Sequence, residues 1–254
     1  MSKIIPYSSR AATVEGGSPG ETALDLVYNF LNEPALRSLS NLSIGGTFPE
    51  HHFKLNPSCY AKQFWFCYSK SNSKPQQRVF LALEDSWKGW PRNRMEKEIP
   101  SSPESKSLVR PSAPFIFDDR RYDRKNKAHV SDFIQHQTDA PKTVTKITSK
   151  EVTKYARNFV SAFGGTKKKY CRYPLGYFEN FELETKRLYI DEFMNQGDVA
   201  YVRYYFGLNK SYRTNKIRIV LFPVSASKKA MSLNTLDSTG GMLEESWPPP
   251  PPRT

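Results

Sequence analysis

The chain reads as an α+β protein built from two related helix-plus-β-hairpin units, with an extended N-terminal arm, a linker and a proline tail. Three observations predict this. Val199–Phe206 and Ile217–Val224 are near-continuous runs of β-branched and aromatic residues, separated by Gly207 and the polar Asn209–Lys216. That is the pattern of a hairpin with a long tip. A similar pair of runs, with Phe64, Phe66 and Tyr68 and then Val79, Leu81 and Leu83, sits 138 positions earlier in both strands (202 − 64 and 217 − 79). Both hairpins are therefore expected to share one loop length. Finally, each hairpin lies downstream of a helix opened by a capping box.

Residues 1–17 are polar and form the arm. The first unit, 18–90, begins with Ser18 and Glu21 as a capping box and Pro19 at the first helical position, where its missing N–H costs little. Leu24, Val27, Tyr28 and Leu31 give that helix an apolar stripe, and Pro34 stops it. An aromatic-proline stretch from Phe48, the hairpin and the tag Leu83–Trp87 (LEDSW) follow. Residues 91–147 read as linker: Pro91–Pro114 is rich in proline, serine and charge, Phe115–Phe117 is strand-like, and Val130–Ile134 adds a turn of helix. Between these, Arg120, Arg121 and Arg124 interleave with Asp118, Asp119 and Asp123, a run able to satisfy itself.

The second unit, 148–247, repeats the order. Thr148 and Glu151 form its capping box, Val152, Tyr155, Phe159 and Phe163 its stripe, and Gly164-Gly165 its end. An aromatic-proline stretch from Tyr173, an additional helix over Glu184–Gln196, the hairpin, a loop and the tag Leu243–Trp247 (LEESW) complete it. The parallel order reads as an internal duplication. Residues 248–254 are the tail, polyproline II over Pro248–Pro252.

A two-stranded hairpin is marginal by itself, so the units must bury their sheets against each other or against neighbouring subunits. Aromatics such as Phe66, Tyr204 and Phe222 are expected at that junction. Hydrophobic residues make up 38% of the 254, and 19 prolines and several polar stretches limit how much backbone a core can fix. The formal charge of +13 favours polyanionic partners: nucleic acid, an anionic membrane or an acidic protein face. The opening MSKIIPYSSR has no apolar stretch of signal-peptide length, and no run reaches the ~20 apolar residues of a membrane span. Three cysteines (Cys59, Cys67, Cys171) without a leader suit a reducing compartment, inside a cell or a particle assembled there.

No catalytic, cofactor-binding or metal-binding residue is assigned. Gly16–Thr22 resembles a phosphate loop only superficially, since it lacks the lysine and the preceding strand. His51, His52, Cys59 and Cys67 do not match zinc-ligand spacing, and no nucleophile elbow occurs. An enzyme would need His51, His52 and Cys59 to converge on an acid in a pocket.

The candidate binding residues lie at the hairpin tips and in the tail. Ser69–Arg78 carries Lys70, Lys74 and Arg78 without an acid, and Leu208–Lys216 carries Lys210, Arg213 and Lys216 with Tyr212 available for base stacking. Two basic β-ribbons can straddle a phosphate backbone, and six phosphate contacts imply a slope of log K against log salt of about −5. The plainer alternative is charged decoration that keeps exposed tips from pairing edge to edge. Trp247, Pro248, Pro249, Pro250, Pro251 and Pro252 are candidates for docking in a partner's aromatic groove.

One likeness extends over the C-terminal part. A strand with Tyr205-Phe206-Gly207, a second with Val220–Val224 and the ending Glu245-Ser246-Trp247-Pro248-Pro249 resembles uncharacterised hypothetical proteins associated with Bacteroidota. The resemblance implies no activity and no site. The sequence thus points first to a non-catalytic structural or adaptor subunit of a larger assembly, such as a virion or an injection machine, and second to a basic nucleic-acid-binding module working through the two tips.

Overall fold

Alternation along Val199–Asn209 decides the layering of the protein. In this computed structural model, which describes residues 23–52, 59–69, 79–87, 108–135, 143–163, 199–210 and 216–225, that strand is β7. The strands before it are β1 (Ser43–Pro49), β2 (Cys59–Tyr68), β3 (Val79–Trp87), β4 (Val109–Pro111), β5 (Phe115–Ile116) and β6 (Val144–Lys146), and β8 (Lys216–Ser225) follows. The helices are α1 (Ala23–Asn32), α2 (Pro34–Ser40), α3 (Lys127–Gln135) and α4 (Ser149–Phe163). The class is α+β: two antiparallel sheets, ordered β5-β1-β7-β8 and β2-β3-β4-β6, with helices.

Even-numbered residues of β7 face the second sheet, and the Phe206 ring also stacks on Phe30 of α1 at 5.6 Å. Tyr204 Oη accepts the Leu81 N–H, and the Phe206 ring lies 5.8 Å from that of Phe66. Odd-numbered residues face helices: Tyr205 Oη donates to the Ile134 carbonyl of α3, and Gly207 lies against Leu26 of α1. On the second sheet, Phe66, Leu81 and Leu83 join the central core, whereas Trp65, Cys67, Phe80 and Ala82 pack with Val152 and Ala156 of α4. The result is four layers, helix on sheet on sheet on helix. At the junction, Phe66 and Tyr204 stand where expected. Phe222 does not: it meets Tyr205 on the helix side, 5.5 Å between rings.

Each of the two longer helices packs on a hairpin from the other half of the chain. The helix α1 packs on β7, and α4 packs on β2. Neither hairpin buries both faces with its own helix, so the crossed arrangement ties the N- and C-terminal halves into one core.

Local chemistry accounts for the helices. Thr148 and Glu151 form the expected capping box: Glu151 N–H donates to Thr148 Oγ1 at 3.2 Å and Thr148 N–H to Glu151 Oε2 at 2.9 Å. The Ser18–Glu21 box lies outside the described residues, as does the helix expected over 184–196. Pro34 ends α1 and also opens α2 at its first turn, which closes on Asn41 in the left-handed region (φ 49°). The stripe of α1 is wider than Leu24, Val27, Tyr28 and Leu31. Leu26 and Phe30 are fully buried, while Leu24 and Tyr28 are only partly so. The reason is that α1 has neighbours on two sides, β7 and α3.

Within 91–147, the stretch whose composition reads as linker, β4 and β6 extend the second sheet and β5 the first. Leu108, Phe115, Phe117, Val130, Phe133 and Ile134 supply the buried anchors. Ala128 N–H donates to Asn126 Oδ1, which caps α3 and lengthens the expected turn to nine residues.

The shared loop length does not hold in the pairing. Phe66 pairs with Leu81, and adding 138 to each gives 204 and 219, yet Tyr204 pairs with Leu221. The second hairpin is slid by two residues. A two-residue slip returns every side chain to the same face, so the hydrophobic pattern cannot detect it.

Candidate polyanion interface

The two hairpins point the same way. Ser43 Oγ donates to the Val79 carbonyl at 2.9 Å, and because β1 runs antiparallel to β7, Ser43 lies beyond the Gly45↔Tyr205 pair, toward the C-terminal end of β7. Val79 closes the described part of the β2–β3 hairpin opposite Tyr68. The described strands of both hairpins therefore run out at the same end of the two-sheet sandwich. Nothing in the sequence establishes this, because it depends on how one sheet is laid on the other.

Of the candidate cations, Lys210 is described and exposed, one residue past β7, and Lys216 begins β8 opposite Asn209. Lys70, Lys74, Arg78, Tyr212 and Arg213 lie outside the described residues, as do Trp247 and Pro248–Pro252. Other basic residues approach the same end. Asn158 Nδ2 donates to the Tyr68 carbonyl at the β2 tip, which brings exposed Arg157 beside it. The Phe117 N–H donates to the Leu42 carbonyl next to Ser43, and exposed Arg120 and Arg121 follow. The interleaved run is partly self-satisfied, as its charge pattern suggests: Arg124 pairs with Asp119 at 2.6 Å, and Arg121 covers the Tyr122 ring. Lys127 pairs with Asp25, which raises the lysine's pKa, and fastens this segment to α1.

Of the residues an enzyme would need, His51 and His52 have described side chains. The His51 and His52 rings lie 4.1 Å apart in the 3-10 turn Glu50–His52 after β1. Cys67 is fully buried on the α4 side of the second sheet, and burial pushes its thiol far above the ordinary range, so it behaves as a small apolar group. The Cys59 side chain is outside the described set. Among the described residues no cluster of three His, Cys, Asp or Glu side chains could hold a metal. Nor is any described helix long and apolar enough to cross a membrane.

A different polar feature escaped the sequence reading. On the helix-facing side of the first sheet, Thr47 and Arg203 stand directly opposite each other on β1 and β7. They are 1% and 2% exposed, and neither Thr47 Oγ1 nor Arg203 Nη1 has a hydrogen-bond partner. Burial lowers the pKa of the guanidinium, with Tyr205 acting in the opposite sense. In sequence Arg203 is one arginine in an apolar strand, and only the register reveals its neighbour.

No protein-family model, curated protein or solved structure matches the chain.

Proposed function

We propose that this protein is a non-catalytic polyanion-binding module that grips nucleic acid with two parallel basic β-ribbons. The observation that carries the reading is the common direction of the β2–β3 and β7–β8 hairpins, fixed by the Ser43–Val79 and Leu81–Tyr204 bonds. The strands leading into the acid-free segments Ser69–Arg78 and Leu208–Lys216 run toward one end of the molecule, and the six cations of those segments, presented from there, would make a single backbone-tracking surface. Phosphate contacts of this kind position without reading sequence, so affinity should be insensitive to base order. The net charge of +13 adds long-range attraction. Duplication of a helix-plus-hairpin unit, followed by exchange of the helices, would give such a paired end.

The test is fluorescence anisotropy with labelled single- and double-stranded oligonucleotides of unrelated sequence. Reversing Lys210, Arg213 and Lys216 to glutamate should weaken binding to all of them about equally. Undetectable binding at moderate salt, or affinity untouched by the reversal, would end the reading.

A second reading, a structural or adaptor subunit of an assembly, is favoured by β8. Among the described residues this ten-residue strand is the last of its sheet, and Ile217, Ile219, Val220, Leu221, Phe222 and Val224 are buried along it. A partner docking against this side of the sheet, with Trp247–Pro252 as a further anchor, would be a route to assembly. Light scattering on the purified chain distinguishes the two, because a monomer that binds oligonucleotides leaves that docking without a role.

A further inference from the structure

Buried polar groups in folded proteins nearly always find partners, and those left over need a reason. Thr47 Oγ1 and Arg203 Nη1 are two such groups in one cross-strand pair. A lone buried hydroxyl costs stability, and a buried guanidinium costs more unless an anion meets it. Two donors orphaned side by side, on neighbouring strands and one face, have the arrangement of a site rather than of two separate faults. No described carboxylate pairs with Arg203, and its neighbours on that face, Tyr205 and Phe222, offer it no negative charge.

We propose that Thr47 and Arg203 hold a small oxyanion, a carboxylate or phosphate group, with Thr47 Oγ–H and Arg203 Nη1–H both donating to it. A guanidinium suits either group because its N–H donors match their oxygens. The ligand head must be small, since both donors are buried. It has an approach: the next pair along the strands, Pro49 and Tyr201, is only half-buried. The site is separate from the hairpin tips, seven positions along β7 from Lys210, and does not depend on nucleic-acid binding.

The experiment is thermal unfolding of the full chain at constant ionic strength, titrated with inorganic phosphate in one arm and acetate in another. Chloride serves as reference. The bound class should give a saturable rise of about 5 °C or more at a hundredfold excess over its Kd. A tetrahedral ligand is indicated if phosphate alone acts, a planar one if acetate does. Arg203→Met should abolish the rise and should melt no lower than the parent in chloride, since an apolar replacement removes an unpaired buried charge. Thr47→Val, nearly isosteric and safe for folding, should weaken the apparent affinity at least severalfold. Lys210→Glu with Lys216→Glu should leave the rise intact. The proposal is overturned if neither oxyanion shifts unfolding beyond chloride, if Thr47→Val leaves the shift unchanged, or if the tip variant removes it. A chloride melting point well below the parent for Arg203→Met would also overturn it, since the cation would then be paired from within the chain.

Discussion

The Tyr204 hydroxyl accepts the Leu81 backbone N–H at 3.1 Å across the interface between the two sheets. Leu81 needs this partner because β3 joins β4 only at Leu83↔Val109. Extending that register puts Pro111 opposite Leu81 (83 + 109 = 81 + 111), where β4 ends. The ring of Tyr204 fills the core beside Phe48, at 5.6 Å, while its hydroxyl does the work of a missing strand.

Tyr204→Phe should therefore cost about 1–3 kcal/mol, the penalty for orphaning a buried donor, although it removes one oxygen and no apolar area. Urea denaturation measures it. The midpoint should fall with the slope unchanged, and an unaltered midpoint would show that Leu81 N–H has another acceptor.

Gly207 permits close contact between α1 and β7. A Cβ built there would stand 2.7 Å from Leu26 Cβ, closer than real carbons approach, and the helix would have to move. Gly207→Ala should destabilise by about 1–3 kcal/mol through overpacking, despite the better strand propensity of alanine. A stabilised variant would mean that α1 yields freely.

The layers were only partly legible before the fold was known. Hairpins, the Thr148–Glu151 cap and the short strand at Phe115 follow from local rules, because turn chemistry, capping and alternation act over a few residues. The strand β1 did not, since Gly45-Gly46 argues against a strand. Its reason is tertiary: a Cβ at Gly45 would collide with the Tyr204 carbonyl, and one at Gly46 with Pro111. The strands β4 and β6 are three residues each, β4 added to β3 and β6 to β4. For the interface, the cations can be named from sequence but not the common direction of the strands that flank them. Arg203 and Thr47 carry no sequence signal, because burial and register are properties of the sheet.

The Thr148–Glu151 box gives a signed pH dependence. Hydrogen bonds from the Thr148 backbone and side chain hold the Glu151 carboxyl below its ordinary value of 4.5. A depressed folded-state pKa means the stabilising increment is complete above the unfolded value and disappears as pH falls through the folded one. Glu151→Gln should remove this dependence below about pH 4.5 and leave the remaining acid sensitivity in place. Thr148→Ala should cost about 1 kcal/mol at neutral pH. Parallel acid titrations of stability in parent and Glu151→Gln would reveal an error in this assignment.

Cys67 should be silent in the native protein. Its thiol is buried and pushed upward by desolvation, so little thiolate forms at neutral or mildly alkaline pH. Iodoacetamide at pH 8, followed by peptide mass spectrometry, should modify Cys67 only in denaturant. Native labelling of that peptide would mean that the α4 layer opens readily.

The paired tips make a prediction about salt that a single tip does not. If the proposed interface engages all six cations, log K should fall with a slope of about −5 against log salt on duplex DNA, and each hairpin accounts for half. Reversing Lys210, Arg213 and Lys216 should flatten the slope to about −3 or less, because three contacts are lost and three repulsions gained. Reversing Lys70, Lys74 and Arg78 should do the same. If both ribbons grip one stretch of backbone, each triple reversal alone cuts affinity steeply. A slope that responds to one triplet and ignores the other would mean that the ribbons share a direction but not a ligand.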